Sequence, residues 1–199
     1  MTEHYFTSCP GSTEHRQRVA VSIWGRDYTF VTARGVFSAG GLDKATEVLL
    51  KASEPPTGAG TVLDLGCGWG PITCAIADVC QETMVYAVDT NQRALDLVRT
   101  NASAIGVSDR VRAVTPEQMP GDVRFDQIWS NPPIRIGKAA LHQLLSGWLG
   151  RLTGDGSARL VVGKNLGSDS LQRWLIDQGW RCERVASAKG FRVLLVRRA

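Results

Sequence analysis

The chain has 199 residues, of which 43% are hydrophobic and 21% charged, with a formal net charge of +4. A chain of this length forms one domain with an ordinary core, burying roughly 70% of its unfolded surface. Its five cysteines (Cys9, Cys67, Cys74, Cys80, Cys182) are odd in number and form no Cys-x-x-Cys, and no apolar run approaches the ~18 residues that span a bilayer, which argues against a disulfide framework, a zinc site, export or membrane insertion and for a soluble protein of a reducing cytoplasm.

In chain order, residues 18–38 alternate at period two around Gly25-Arg26, as an antiparallel ribbon does, and "LDKATEVLLKAS" (42–53) has the spacing of an amphipathic helix. "EPPTGAG" (54–60) is a linker. Residues 1–52 are too short and too poor in apolar residues to keep a core alone, so they are expected to form a cap docked on a catalytic core of residues 53–199. From residue 61 short apolar runs alternate with longer amphipathic ones, the pattern of βαβ units on a mostly parallel sheet. Strands are expected at 61–66, 84–89, 110–114, 125–130 and 158–163, with helices at 71–80, 92–105, 138–152 and 169–179. Two last strands, 181–187 and 191–198, are joined by a tight turn at Gly190, so a Rossmann-like, seven-stranded, mostly parallel sheet with an antiparallel C-terminal hairpin is expected. By analogy alone, such a hairpin separates methyltransferase-type sheets from dehydrogenase-type ones.

Four stretches carry chemistry. "LDLGCGWGP" (63–71) places Asp64, Gly66, Cys67, Gly68 and Gly70 where a strand ends and a helix begins, and glycines there let backbone approach a ligand closely. A dinucleotide fingerprint needs Gly or Ala where this chain has Pro71, so the spacing favours S-adenosylmethionine over a pyrophosphate ligand. Asp89, about twenty residues further on, is placed to accept ribose hydroxyls, with Thr90 and Asn91 beside it; an acid there also suits a helix N-cap. Glu117, after the third core strand, is a candidate for the adenine amino group, although a loop glutamate is also ordinarily solvated.

The fourth stretch is "NPPI" (131–134). Two consecutive prolines lack N–H donors and leave only carbonyls to face a ligand, and proline holds the preceding Asn131 extended. The motif alone is compatible with a simple turn. In a doubly wound sheet, however, the first and fourth core strands flank the switch point, so the glycine loop and Asn131–Ile134 should face one crevice. There the Asn131 side-chain oxygen and the Pro132 carbonyl could accept both N–H groups of an exocyclic amine, with Pro133 and Ile134 shaping the loop. The three histidines (His4, His15, His142) form no catalytic cluster by spacing, and no metal site is implied.

Charge is distributed unevenly. Residues 1–60 hold six Lys/Arg against six Asp/Glu, residues 61–133 five against nine, and residues 134–199 twelve against four. The basic excess thus follows the NPP loop, making Arg135, Lys138, Lys164 and Arg192 candidate contacts to a polyanion; the alternative is that these residues merely solvate helices.

Taken together, "HYF" (4–6), "GVFS" (35–38), Asp43, "LDLGCGWG" (63–70), Asp89, "NPP" (131–133) and "KGFRVL" (189–194) resemble the methyltransferase small domain family, of the kind found in ribosomal RNA small-subunit methyltransferase C. The resemblance covers nearly the whole chain. It implies methyl transfer from S-adenosylmethionine to the N2 amino group of guanine in ribosomal RNA or the small ribosomal subunit, with Phe37 and Ser38 closing over cofactor and target. A cytoplasmic enzyme is expected from the cysteine usage, and a monomer is favoured with the oligomeric state left open. Two departures stand out. The position after NPP, aromatic in many relatives, is Ile134, and the glycine usual after Asp43 is replaced in "DKAT". Competing readings are methylation of a protein glutamine, which uses the same NPP chemistry, and a cofactor-binding RNA or ribosome assembly factor without turnover.

Overall fold

The computed structural model describes residues 15–199; His4, Cys9 and the "HYF" stretch lie outside them. The first two strands, β1 (Arg16–Ile23) and β2 (Arg26–Ala33), form a separate antiparallel ribbon. Its register pairs Ile23 with Arg26, so the turn is made by Trp24 and Gly25, both at positive φ, one residue earlier than the sequence pattern placed it. The shift has a packing cause. At this position the Trp24 ring meets Trp129 edge-on at 5.9 Å, and its Nε1 donates to the carbonyls of Leu50 and Ser53 at the end of the next helix.

That helix, α1 (Lys44–Lys51), is followed by β3 (Gly60–Leu65), α2 (Pro71–Val79), β4 (Thr83–Val88), α3 (Gln92–Ile105), β5 (Val111–Val114) and β6 (Phe125–Ser130). Then come α4 (Lys138–Leu149), β7 (Leu152–Gly163), α5 (Ser168–Asp177), β8 (Trp180–Ala188) and β9 (Phe191–Arg198). β7 begins six residues before its apolar run: buried Leu152 pairs with Phe125, the register then shifts, and regular pairing resumes at Ser157, opposite both Gln127 and Arg197. The seven strands lie in the order β5-β4-β3-β6-β7-β9-β8, parallel except for β9, which runs antiparallel to both its neighbours.

Period-two burial along the strands divides the core between the two faces of the sheet. Val62, Val85, Ala87, Trp129 and Val161 pack on one face with residues of α1, α2 and α3. Leu63, Ile128, Leu160 and Leu194 pack on the other with residues of α4 and α5. The ribbon joins the first of these cores. Phe30 is fully buried, 5.1 Å from the Trp69 ring, and the buried Asn101 of α3 bonds to both the N–H and the carbonyl of Val31. A buried asparagine is tolerable here because its amide is satisfied at both ends.

Helix starts follow their local chemistry. Asn91 caps α3 by accepting from Arg93 N, and Pro71 occupies the first turn of α2, where its missing N–H costs nothing. Both β6 and β3 end at the carboxyl edge of the sheet, and the change of winding direction between them leaves a crevice there.

Candidate functional site

The glycine loop leaves β3 at Gly66, whose N–H, with that of Cys67, donates to the Val88 carbonyl at 2.8 and 3.1 Å. The loop is therefore anchored to the end of β4. Gly66 has φ +76°, a left-handed conformation that favours glycine, and lies beside the Asn131 carbonyl, so the β3 and β6 loops meet here. Gly70 has φ +86° and lies against Val98, where a Cβ would stand 3.0 Å from the valine methyl and separate α2 from α3.

Beneath the loop, Asp64 is buried and accepts from the backbone N–H and hydroxyl of Thr73 at 3.0 and 2.6 Å. Its other carboxylate oxygen is buried without a partner. Burial raises its pKa to about 7, against the opposing Thr73 hydrogen bonds and with a further push from Asp89. Asp89 accepts from Gly68 N at 3.0 Å and Asn91 N at 2.9 Å, one on each oxygen, and is likewise raised, chiefly by burial. A carboxylate has about four lone-pair sites, so each oxygen of Asp89 keeps capacity for a ligand hydroxyl.

On the opposite wall, Ser130 Oγ donates to the Leu65 carbonyl at 2.7 Å, fixing the end of β6. The chain then turns sharply. Ile134 N donates to the Pro132 carbonyl at 2.8 Å with Pro133 at φ −74° and ψ 75°, an inverse γ-turn. The Pro132 carbonyl thus has one lone pair engaged and one remaining. Asn131 Nδ2 donates to Asp43 Oδ2 at 2.9 Å and to Thr46 Oγ1 at 3.1 Å, spending both amide hydrogens on α1 and leaving Oδ1 to accept.

Between these walls is a cavity of about 320 Å³, within the range of small-molecule sites. Gly66, Asp89, Thr90 and Asn91 line it on one side and Asn131, Pro132, Pro133 and Ile134 on the other. Phe37, Arg135 and Leu166 also border it. The crevice inferred from topology therefore exists, with the glycine loop facing the NPP loop.

The other expected site residues surround the cavity or lie away from it. Ser38 donates to the Gly41 carbonyl and accepts Trp69 Nε1 on its own carbonyl, so it shapes the 35–41 turn. Asn91, besides lining the cavity, donates to the Gly35 carbonyl at 2.7 Å and ties that turn to α3. The Cys67 thiol is buried and pushed well above its ordinary pKa by burial, and Gly68 and Gly70 set the loop's path from behind. Glu117 is exposed next to Pro116, which does line the cavity. Lys138 and Lys164 are exposed, at the start of α4 and just after β7. Arg192 is only 7% exposed and is ion-paired with Asp169. His142 stacks on Trp174 at 3.8 Å, away from the cavity lining. The sequence reading missed Leu144, Trp148 and Val161, which give the cavity its apolar wall and look like any other core position in a one-dimensional pattern.

The residues suit a nucleoside carrying a cationic amino-acid group. An unpartnered buried carboxylate oxygen lies under a glycine loop, a second carboxylate stands at the next strand end, and apolar walls surround a cavity of matching size. Comparison with known proteins agrees. The "Uncharacterized protein YbxB" of Bacillus subtilis is 31% identical over 177 residues, covering 85% of this chain and 86% of its own. Ribosomal RNA small subunit methyltransferase C of Citrobacter koseri is 35% identical over 153 residues, covering 72% of this chain and 44% of its own. The T. thermophilus 16S rRNA N2 G1207 methyltransferase, solved in complex with AdoMet and guanosine, superposes with a TM-score of 0.80 at 25% identity over 96% of this chain and 52% of that one. The chain thus spans about half the length of these methyltransferases. The sequence profile of the methyltransferase small domain matches residues 27–195, and the chain belongs to that family.

Proposed function

We propose that the chain uses S-adenosylmethionine to methylate the exocyclic N2 amine of a guanine in ribosomal RNA. The observation that carries this reading is the disposition of Asn131: its amide hydrogens are held by α1, which leaves its oxygen to accept at the cavity wall, beside the remaining lone pair of Pro132. The cofactor, when bound, supplies an electrophilic methyl group on a sulfonium. Asp89 would hold its ribose hydroxyls, with Gly66, Thr90 and Asn91 forming the cradle; the unpartnered oxygen of Asp64 would act from beneath the loop at the amino-acid end, and Glu117, beside the lining residue Pro116, would serve the adenine end.

The amine nitrogen of guanine is a poor nucleophile because its lone pair is delocalised into the ring. Accepting its two N–H groups on Asn131 Oδ1 and the Pro132 carbonyl would fix its orientation and stabilise the positive charge that grows on nitrogen as the bond to carbon forms. The nitrogen then sheds a proton to water, for which no dedicated base is required. Phe37 and Ile134 border the cavity with apolar surface suited to the faces of a base, and Arg135, Lys138 and Lys164 lie near the same edge of the sheet, where RNA phosphates would approach. The relatives named for ribosomal RNA support this choice of substrate.

Labelled S-adenosylmethionine offered with ribosomal RNA, ribosomal subunits, transfer RNA and a protein extract in parallel tests the reading. Label recovered as N2-methylguanosine from ribosomal RNA is expected. Label confined to protein would replace it with glutamine methylation.

A further inference from the structure

Asp43 is the N-cap of α1, and its Oδ2 accepts from Ala45 N at 2.8 Å and Thr46 N at 3.2 Å. Capping asks no more of it. Yet the same oxygen also accepts Asn131 Nδ2 from 88 residues away, and the hydroxyl of Thr46, one turn into the helix, accepts that nitrogen as well. Asp43 and Ala45 both line the cavity, so this contact forms part of its wall.

The chemistry of an amide gives the contact a direction. With Nδ2 toward Asp43, two N–H groups meet two acceptors. With the amide turned over, Oδ1 would face a carboxylate oxygen and both groups would repel. The anion thus selects one of two nearly isosteric orientations. It also acts through the amide, because a charge-assisted bond to N–H draws electron density toward the carbonyl oxygen. The helix bearing the clamp is itself braced, Glu47 pairing with Lys189 of the β8–β9 turn at 2.8 Å and with Lys51 at 2.7 Å.

We infer that Asp43 and Thr46 are positioning residues that hold the Asn131 amide in one orientation and polarise it, presenting Oδ1 to the substrate amine. This rests on the reading of Asn131 as the amine acceptor. It gives α1 a part in methyl transfer that its place outside the sheet does not suggest.

Asp43→Asn separates charge from capping, since asparagine caps helices as well as aspartate and keeps an oxygen acceptor. The test is a cycle of Asp43→Asn, Asn131→Ala and the double variant, assayed on small ribosomal subunits and protein-free ribosomal RNA. Thr46→Val and Thr46→Ser are measured alongside. We expect Asp43→Asn to lower kcat by about tenfold with KM, cofactor affinity and Tm little changed, the scale of one polarised transition-state hydrogen bond. In the Asn131→Ala background the same substitution should cost nothing more. Thr46→Val should fall and Thr46→Ser should hold. Additive losses in the double variant would show that Asp43 acts without Asn131 and would overturn the inference, whereas an Asn131→Ala enzyme with full activity would overturn the acceptor reading instead. A second readout needs no activity. The Asn131 side-chain NH2 resonances, assigned by their loss in Asn131→Ala, should be protected from solvent exchange and should shift in Asp43→Asn. Exchange in the unsubstituted protein at the rate of an exposed amide would overturn the clamp even if no RNA takes label.

Discussion

At the residue scale, the two acids beside the glycine loop differ in what holds them. Asp89 has a backbone N–H on each oxygen, while Asp64 spends one oxygen on Thr73 and leaves the other unpartnered. For Asp64 this sets a pH dependence. Its folded pKa, about 7, lies above the value of an unfolded aspartate, so the folded chain binds the proton more tightly and stability falls as pH rises from about 4 to about 7, then levels off. Asp64→Asn retains an oxygen for Thr73 and removes the buried charge. Chemical denaturation should show the variant gaining on the unsubstituted protein between pH 5 and pH 8, by a margin on the order of 1–3 kcal/mol. A difference independent of pH would mean that Asp64 is not carrying a desolvated charge. The sequence showed where this acid stands, inside a strand and before glycines, but a buried lone pair is a property of packing that no spacing encodes. The same applies to Arg192, which was legible as a basic residue near the NPP loop and not as a side chain folded under α5 against Asp169.

Elements were the most legible level, because helices and strands here obey local rules. The bounds of α3 and β6 coincide with Asn91 and Gly106 and with the turn signal of the NPP loop. Errors arose where tertiary contacts decide, as in the ribbon turn displaced by Trp24 packing on Trp129, and in β7, whose start is set by the long-range pair of Leu152 with Phe125 across a register shift. The junction of α2 and the glycine loop offers a quantitative check. Gly70→Ala combines a positive φ with a methyl pressed to 3.0 Å from Val98, and should lower stability by about 2–4 kcal/mol. Gly68→Ala, at φ +54° with no neighbour within 4 Å, should cost only about 1 kcal/mol. Equal losses in denaturant titrations would show that the approach of α3 does not matter.

At the scale of the whole molecule, part of the basic C-terminal third serves the fold, which composition could not show. Arg151 lies over the Phe125 and Trp148 rings and binds the Pro120 and Val123 carbonyls; Arg198 lies over Trp180 and binds the carbonyls of Gly150, Leu152 and Thr153. Arg159 sits over Trp129. These arginines hold the fold. Arg135, Lys138 and Lys164 remain near the edge that carries the cavity. Neutralising Lys138 and Lys164 together should weaken binding of ribosomal RNA and reduce the slope of log affinity against log salt by about one unit per lost phosphate contact, whereas Arg198→Gln should leave that slope unchanged and lower Tm. An unaltered slope in the lysine variant would place the RNA on another face. If one crevice joins a cofactor cradle to an amine acceptor, Asn131→Ala separates the two walls when cofactor affinity and single-turnover methyl transfer are measured on the same preparation. We predict unchanged cofactor binding with transfer slowed by at least about tenfold. Transfer at the unsubstituted rate, or loss of cofactor binding in parallel with transfer, would contradict the division of labour between the two walls.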